Sequence, residues 1–565
     1  MNKNGNRGRE LWGALLTLGL AYLYIDFIFW SGEGISVLLF AAAYCAVAGT
    51  YLNACGHPQT RKSLVWMGVI LLSALSFALI DAWQLKTLNM LFLSFAAVYW
   101  TAVTCGRQIS GGISLYSLAE PVKQMILLPF GNFGRLFAGI FGTADRAAAK
   151  PGAAPSGTAA PGAAAGTLNE RSATESIPAA EFHDRCSGAQ FTAPQPMSRR
   201  TKNVLASLVS LLVLIPVLVS VLRLLADADP AFDYLLSGLN RLPMPDLSEL
   251  IANGILSIPV ACWLFGLFHG NGNGRRTELL TAEQMEKSLP KLQLLPRVTV
   301  YGFLAVLTAI YALFFLAQLG YFLSAFASKL PETMTYAEYA RRGFFELCSV
   351  AGINLAVLGG AWLFLDRGEK QAENGDFRPS RGLTAWTAVL CVFTLLLLVT
   401  AFSKMVMYID CYGLTHKRIY TSCFMVFLFL VFSIILLRRF VKFPAVKIAA
   451  AAGICGFLLL NLVNVDGLIA GYNIDRVIAA EEAGQHLELD VPALFELSDG
   501  AVPVIYDRWQ KTDDPQLKKQ LEQAITGQIW EEHPFNEIEF RNRLSDWKEW
   551  NLQYERAKNI REKFL

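Results

Sequence analysis

The fold class that this sequence predicts is all-α: a polytopic bundle of about eleven transmembrane helices followed by a small soluble helical domain. Three observations point there. Apolar residues make up 54% of the chain and charged residues 17%, against roughly 45–50% and about 25% in average soluble domains. The excess is gathered into runs of about twenty residues, the length of helix that crosses a hydrocarbon layer of about 30 Å. After Asn464 the character reverses, and residues 465–565 carry twenty acidic and twelve basic side chains, a net charge of minus eight.

Charge-poor runs place the spans at 11–30, 35–52, 64–80, 87–105, 203–224, 250–268, 298–325, 345–365, 383–403, 419–437 and 446–464. The first run follows Lys3, Arg7 and Arg9 but lacks a small-x-small cleavage site and retains Asp26, so it reads as an uncleaved helix. The third and fourth spans are separated only by Asp81 to Lys86. Val298 to Ser328 holds no charge at all and is long enough to tilt or to extend beyond the bilayer.

Lys and Arg collect in alternate loops, which predicts a cytoplasmic N-terminus and, with eleven spans, a C-terminal tail on the outer side. Two basic pairs break the pattern by falling on the outer face, Arg341/Arg342 and Lys417/Arg418. The resulting organisation is a four-helix membrane region (1–110), an interfacial segment (111–141), a linker (142–200), a seven-helix membrane domain (201–465) and a soluble helical tail (466–565). The linker is rich in Ala, Pro and Gly, a composition that buries too little apolar area to order itself. The interfacial segment mixes apolar residues with Glu120, Lys123 and Arg135 and is broken by Pro121 and Pro129.

Three segments carry candidate chemistry. In Thr335–Leu347, Glu338, Arg342 and Glu346 are spaced to make a minus-plus-minus ladder on one helix face, with Arg341 off that face. An aromatic and Arg belt anchoring a helix end at the headgroups is the structural alternative. In Ser403–Tyr420, read as a short outer loop over 404–418, Lys404, Asp410, His416, Lys417 and Arg418 stand beside three tyrosines, with Gly413-Leu-Thr as a turn. This set suits a phosphate or anionic headgroup, or it is a solvated flank of the tenth span. In Asn461–Arg476, Asn461, Asn464 and Asp466 are polar groups at the end of an apolar helix, followed by Asn473, Asp475 and Arg476. Such groups must be hydrogen-bonded there, and docking of the tail is their expected role. The topology brings Glu338, Arg341, Arg342, Asp410, Lys417, Arg418, Asn473, Asp475 and Arg476 to one membrane depth, the candidate binding cluster at the outer face.

These segments resemble a family of uncharacterised bacterial membrane proteins, the domain-of-unknown-function 4153/4173 group. The matching pieces are Glu338-Tyr-Ala-Arg-Arg-Gly-Phe-Phe-Glu-Leu347, Tyr412-Gly-Leu-Thr415 with Arg418, Asn461 to Arg476 with Tyr472-Asn-Ile-Asp-Arg476, and Leu494 to Ala501. The resemblance covers roughly 200–510 and leaves out the first four spans and the linker. It implies the bacterial cytoplasmic membrane as location and brings no activity with it.

No Walker loop, GxSxG elbow, HExxH, kinase signature or Rossmann fingerprint occurs. Six scattered histidines and ten cysteines without a CxxC pair give no metal spacing, and no cofactor is expected. A net charge of +3 gives no reason to expect nucleic acid as a partner. The expected partners are the lipid bilayer and an envelope protein or anionic lipid at the outer face. Three function classes stay open: a noncatalytic envelope binding or regulatory component, which ranks first; a transporter of a small or anionic solute; and an enzyme acting on a lipid-linked or phosphate-bearing envelope substrate, with Glu338 or Asp410 as base.

Overall fold

The computed structural model describes residues 3–31, 34–81, 83–141, 247–326, 344–365, 381–485, 487–527 and 547–564. Ten helices among the described residues are long and apolar enough to cross a membrane. They lie in α1 (Lys3–Tyr24, closing in a π turn Ile25–Phe29), α2 (Ile35–Ala54), α3 (Arg61–Leu79), α4 (Trp83–Cys105), α5 (Leu247–Asn273), α7 (Arg297–Phe326), α8 (Phe344–Phe364), α9 (Arg381–Tyr412), α10 (His416–Leu437) and α11 (Ala445–Leu462); α6 (Ala282–Leu292) is short and polar. The eleventh expected span, 203–224, lies outside the described residues. Among the described residues there is no strand, only one bridge between Leu295 and Leu365. The chain forms a polytopic helical membrane bundle.

The chain divides into two units. The smaller comprises 1–16 and 134–255, whose described parts are the start of α1, a short helix Arg135–Phe141 and the start of α5. The larger comprises 17–133 and 256–565, and all that follows belongs to it.

Backbone groups inside a hydrocarbon layer must bond within the segment, so these runs are helices, and their few polar side chains bond between helices. Ser63 and Thr104 hydroxyls meet at 2.6 Å near one end of the α3–α4 pair. Farther along, Asn89 accepts from Ser73 at 2.6 Å and donates to Ser76 at 2.8 Å. In the second half, Leu304, Ala351, Leu390, Leu398 and Phe432 bring α7 to α10 together around one apolar core. Within it Tyr311 donates to Asn354 at 2.6 Å and Asn354 to Thr394 at 2.9 Å, joining three helices.

Among the described residues, the soluble part contains α12 (Val465–Glu482), α13 (Val491–Phe495), α14 (Val502–Lys511), α15 (Pro515–Thr526) and α16 (Leu552–Arg561). Their starts follow local chemistry. Asp490 and Asp514 cap α13 and α15, each with proline in the first turn, and Asn551 caps α16. Ile469, Ile474, Leu494, Ile505, Leu521 and Ile525 form the core, and Ile419, Tyr420 and Leu460 from the membrane helices, with Leu414 from the loop between α9 and α10, pack against it. The tail is thus seated on the ends of α9 to α11 rather than tethered to them.

Residues 547–564 strap the tail to the first helices. Lys548 pairs with Asp26 at 2.9 Å, the Ile35 amide donates to the Trp550 carbonyl at 2.9 Å, and the Asp81 amide donates to Gln553 at 2.7 Å. Arg561 returns the strap to the tail through the Ile525 carbonyl and Asp499. At Gly34 an added Cβ would lie 2.3 Å from the Glu549 carbonyl carbon. Gly34→Val is therefore expected to displace the strap, seen as faster proteolysis within 547–564 while the protection of α14 and α15 is unchanged.

A clamp at the tail end of the bundle

A 32-residue α9 is about 48 Å long at about 1.5 Å per residue, well beyond a hydrocarbon layer of about 30 Å. It continues through Lys404 and Asp410, which corrects the outer loop expected over 404–418. Lys404 is buried against its neighbours, and Met405 to Ile409 are residues that a helix accommodates readily. What stops α9 is Gly413, whose φ of 79° is left-handed and whose amide closes the last turn onto the Ile409 carbonyl at 2.7 Å. The loop is only Gly413–Thr415 before α10 begins.

A helix C-terminus leaves carbonyls without partners and carries partial negative charge. Here three side chains take carbonyls at the end of α9 and in the loop just past it. Arg476 donates to the Cys411 carbonyl at 2.6 Å. Arg418 donates to the Gly413 carbonyl, and its guanidinium lies 4.1 Å from the Tyr408 ring centroid and 5.9 Å from that of Tyr412. Asn473 grips Leu414 from both sides, accepting from its amide at 2.7 Å and donating to its carbonyl at 3.0 Å. Asn473 and Arg476 are one turn apart on α12, so the first soluble helix holds the α9–α10 turn by its backbone.

Beneath this turn Asp466, 3% exposed, accepts from His416 Nε2 on one carboxylate oxygen and from the Ser498 hydroxyl at 2.6 Å on the other. Asn464 caps α12 by accepting from Gly467 at 3.0 Å and donates to the Gly500 carbonyl at 2.7 Å. A Ser, a His and an Asp together invite comparison with a hydrolytic triad, but the order of bonds differs. In a triad the His stands between Ser and Asp and removes the Ser proton. Here the Asp stands between the other two, and the Ser498 hydroxyl keeps its proton and donates a hydrogen bond to the carboxylate. The arrangement joins α10, α12 and the α13–α14 connection without activating a nucleophile.

Of the candidate cluster, the structure brings Arg418, Asn473 and Arg476 onto one turn. Asp410 is exposed and bonds to Tyr472, whose hydroxyl is pushed above its usual pKa by burial and then by the Asp410 charge. Lys417 is exposed, next in sequence to Arg418. Asp475 faces away, held by Arg508 at 2.8 and 3.0 Å, and its carboxylate holds the Arg508 pKa up. Glu338, Arg341 and Arg342 lie outside the described residues. Among the described residues no group of three or more His, Cys, Asp or Glu could hold a metal ion.

A second polar cluster, in the segment read as interfacial and outside the candidate binding set, lies at the opposite end. After α4 the chain forms a broken segment of short turns, Leu115–Ala119, Val122–Leu127 and Leu128–Gly131. Its inward residues are Glu120, Lys123 and Gln124, 1%, 3% and 1% exposed. Glu120 accepts from the Ile109 amide and from Gln124 at 3.2 Å, Gln124 accepts from Asn271 of α5 at 3.0 Å, and Lys123 donates to the Arg107 carbonyl at 3.0 Å. Burial is the main cause that raises the Glu120 pKa above 4.5 and lowers that of Lys123 below 10.5. A carboxyl whose folded pKa is raised contributes stability below its unfolded pKa that is lost as pH rises through the folded value. Glu120→Gln is therefore expected to flatten the fall in melting temperature above pH 4.5, measured as thermal unfolding of the purified protein across pH.

The helical bundle and its clamped tail define a class, multipass membrane proteins that carry a docked helical domain. The chain belongs to the family described as a domain of unknown function, DUF4153, whose profile matches residues 67–507. The match begins earlier than the resemblance over roughly 200–510, taking in most of α3 and all of α4. It excludes α1, α2 and the strap that docks on them. No curated protein and no solved structure matches the chain.

Proposed function

We propose that the protein is a noncatalytic component of the bacterial cell envelope, in which the membrane helices hold the helical tail rigidly at the outer face to bind or regulate an envelope partner. The observation that carries this reading is the use of Arg418, Asn473, Arg476, His416 and Asp466 on one another and on backbone carbonyls, which favours fixation over substrate capture. Basic residues support the orientation: Arg61, Lys62, Arg107, Arg276, Arg438 and Arg439 gather at the end away from the tail. A photo-crosslinking residue at exposed Glu522, introduced in cells, should give a discrete crosslinked species, and Lys417→Cys should react with a membrane-impermeant thiol reagent in intact cells. Labelling only after permeabilisation would place the tail inside and end this reading.

The broken segment with its buried Glu120 and Lys123 favours a second reading, transport of a small or anionic solute, since interrupted helices and buried ionisable groups suit a translocation path. Solute uptake lost in Glu120→Gln at normal protein level, with no crosslinked species from the tail, would select it.

A further inference from the structure

Two arginines at the end away from the tail have no carboxylate within salt-bridge distance among the described residues. Arg107 follows the end of α4, and its guanidinium lies on Gly274, where an added Cβ would sit 2.5 Å from an Arg107 Nη. Its Nε is buried and meets no acceptor. Arg276 folds its side chain over Gly131, where an added Cβ would lie 3.0 Å from Arg276 Cδ and 3.2 Å from its Nη1. Glycine at 131 and 274 thus leaves room for both side chains at one turn.

Arg276 is also exposed and is the one non-glycine residue with positive φ, 59°, among the described residues. Such strain persists where the surroundings impose it, and it clusters at binding sites. Glu283 nearby in sequence is taken by Lys287, and buried Glu120 already accepts from Ile109 and Gln124. Buried Lys123 donates to the Arg107 carbonyl and so ties the broken segment to the residue that follows α4.

The outward side of the broken segment is apolar. Leu118, Val122, Ile126 and Phe130, at four-residue spacing, are 81%, 47%, 53% and 61% exposed. Such a stripe beside unpaired guanidiniums has the two-part chemistry of a phospholipid: acyl chain against the stripe, phosphodiester against the cations.

We propose that Arg107 and Arg276, at the Gly274–Arg276 turn, bind the phosphate of an anionic phospholipid whose acyl chains lie along Leu118, Val122, Ile126 and Phe130. This site is at the opposite end of the bundle from the clamp and does not depend on the role proposed for the tail. It would fix the broken segment against α5 in the presence of acidic lipid.

The full chain reconstituted in nanodiscs of mixed phosphatidylglycerol and phosphatidylcholine, then extracted and analysed by native mass spectrometry, tests it. The wild type should retain phosphatidylglycerol selectively. Arg276→Gln and the Arg107→Gln/Arg276→Gln pair should retain about tenfold less, the loss expected for charge-assisted contacts, while Lys442→Gln, an exposed cation at the same end, should retain it fully. Thermal unfolding in phosphatidylcholine alone distinguishes lost binding from lost folding, and Arg276→Gln, at an exposed side chain, covers the case in which the double variant fails to fold. Equal retention by folded Arg276→Gln would overturn the proposal. So would displacement of the lipid by excess inorganic phosphate, which would identify a free-anion site instead.

Discussion

Asp466→Ala is expected to destabilise the seating of the tail by roughly 3 kcal/mol, because it removes the acceptor of two bonds at a buried position at once. His416 and Ser498 would be left facing each other across a void, since both donate to that one carboxylate. The tail core itself, built on Leu494, Ile505, Leu521 and Ile525, does not use this group. Limited proteolysis should therefore show cleavage between α12 and α13 rising by about a hundredfold, as an opening equilibrium shifted by that amount requires. The melting of the membrane helices should move little. Asp466→Asn keeps the shape and one acceptor oxygen, and its loss should be smaller. Equal proteolysis of wild type and Asp466→Ala would show that the carboxylate holds nothing together.

Gly413→Val should have an effect of similar size for a different reason. A β-branched residue at φ 79° is strained by about 1–3 kcal/mol. Its Cβ would also lie 2.4 Å from Asn473 Oδ1 and 3.4 Å from Arg476 Nη1, so Asn473 must leave Leu414 and give up two bonds of about 1 kcal/mol each. Because the glycine and the asparagine act on one contact, Gly413→Ala and Asn473→Ala together should cost less than their sum. Chemical denaturation followed by tail fluorescence would measure the cycle. Strict additivity would mean that the two residues do not meet.

The membrane helices were legible because their signal is local: twenty apolar residues in a row leave little choice of structure. The third and fourth spans, parted only by Asp81 to Lys86, form the separate helices α3 and α4. The end of α9 was misplaced because Lys404 was read as the exit from the bilayer, whereas charge marks neither a helix end nor, when the side chain is buried, exposure to water. The glycine that does end it was visible in Gly413-Leu-Thr. At the clamp, the residue types were legible and their partners were not. Asn473 and Arg476 bond to main-chain carbonyls some sixty residues away, which leave no mark in composition or spacing. The strap is a stronger case, with Lys548 reaching Asp26 across almost the whole chain. In the broken segment the period was present, but with its polar residues turned inward and its apolar residues outward, the reverse of a soluble amphipathic helix.

Hydrogen–deuterium exchange over the peptide 410–416 tests the central claim most directly. A three-residue turn between two membrane helices would ordinarily exchange freely, yet here the Leu414 amide donates to Asn473 and the Gly413 amide to Ile409. The clamp predicts that this turn is protected in the wild type to the same degree as α12, and that both lose protection together in Asn473→Ala. A turn that exchanges within seconds in the wild type, while α12 stays protected, would contradict it.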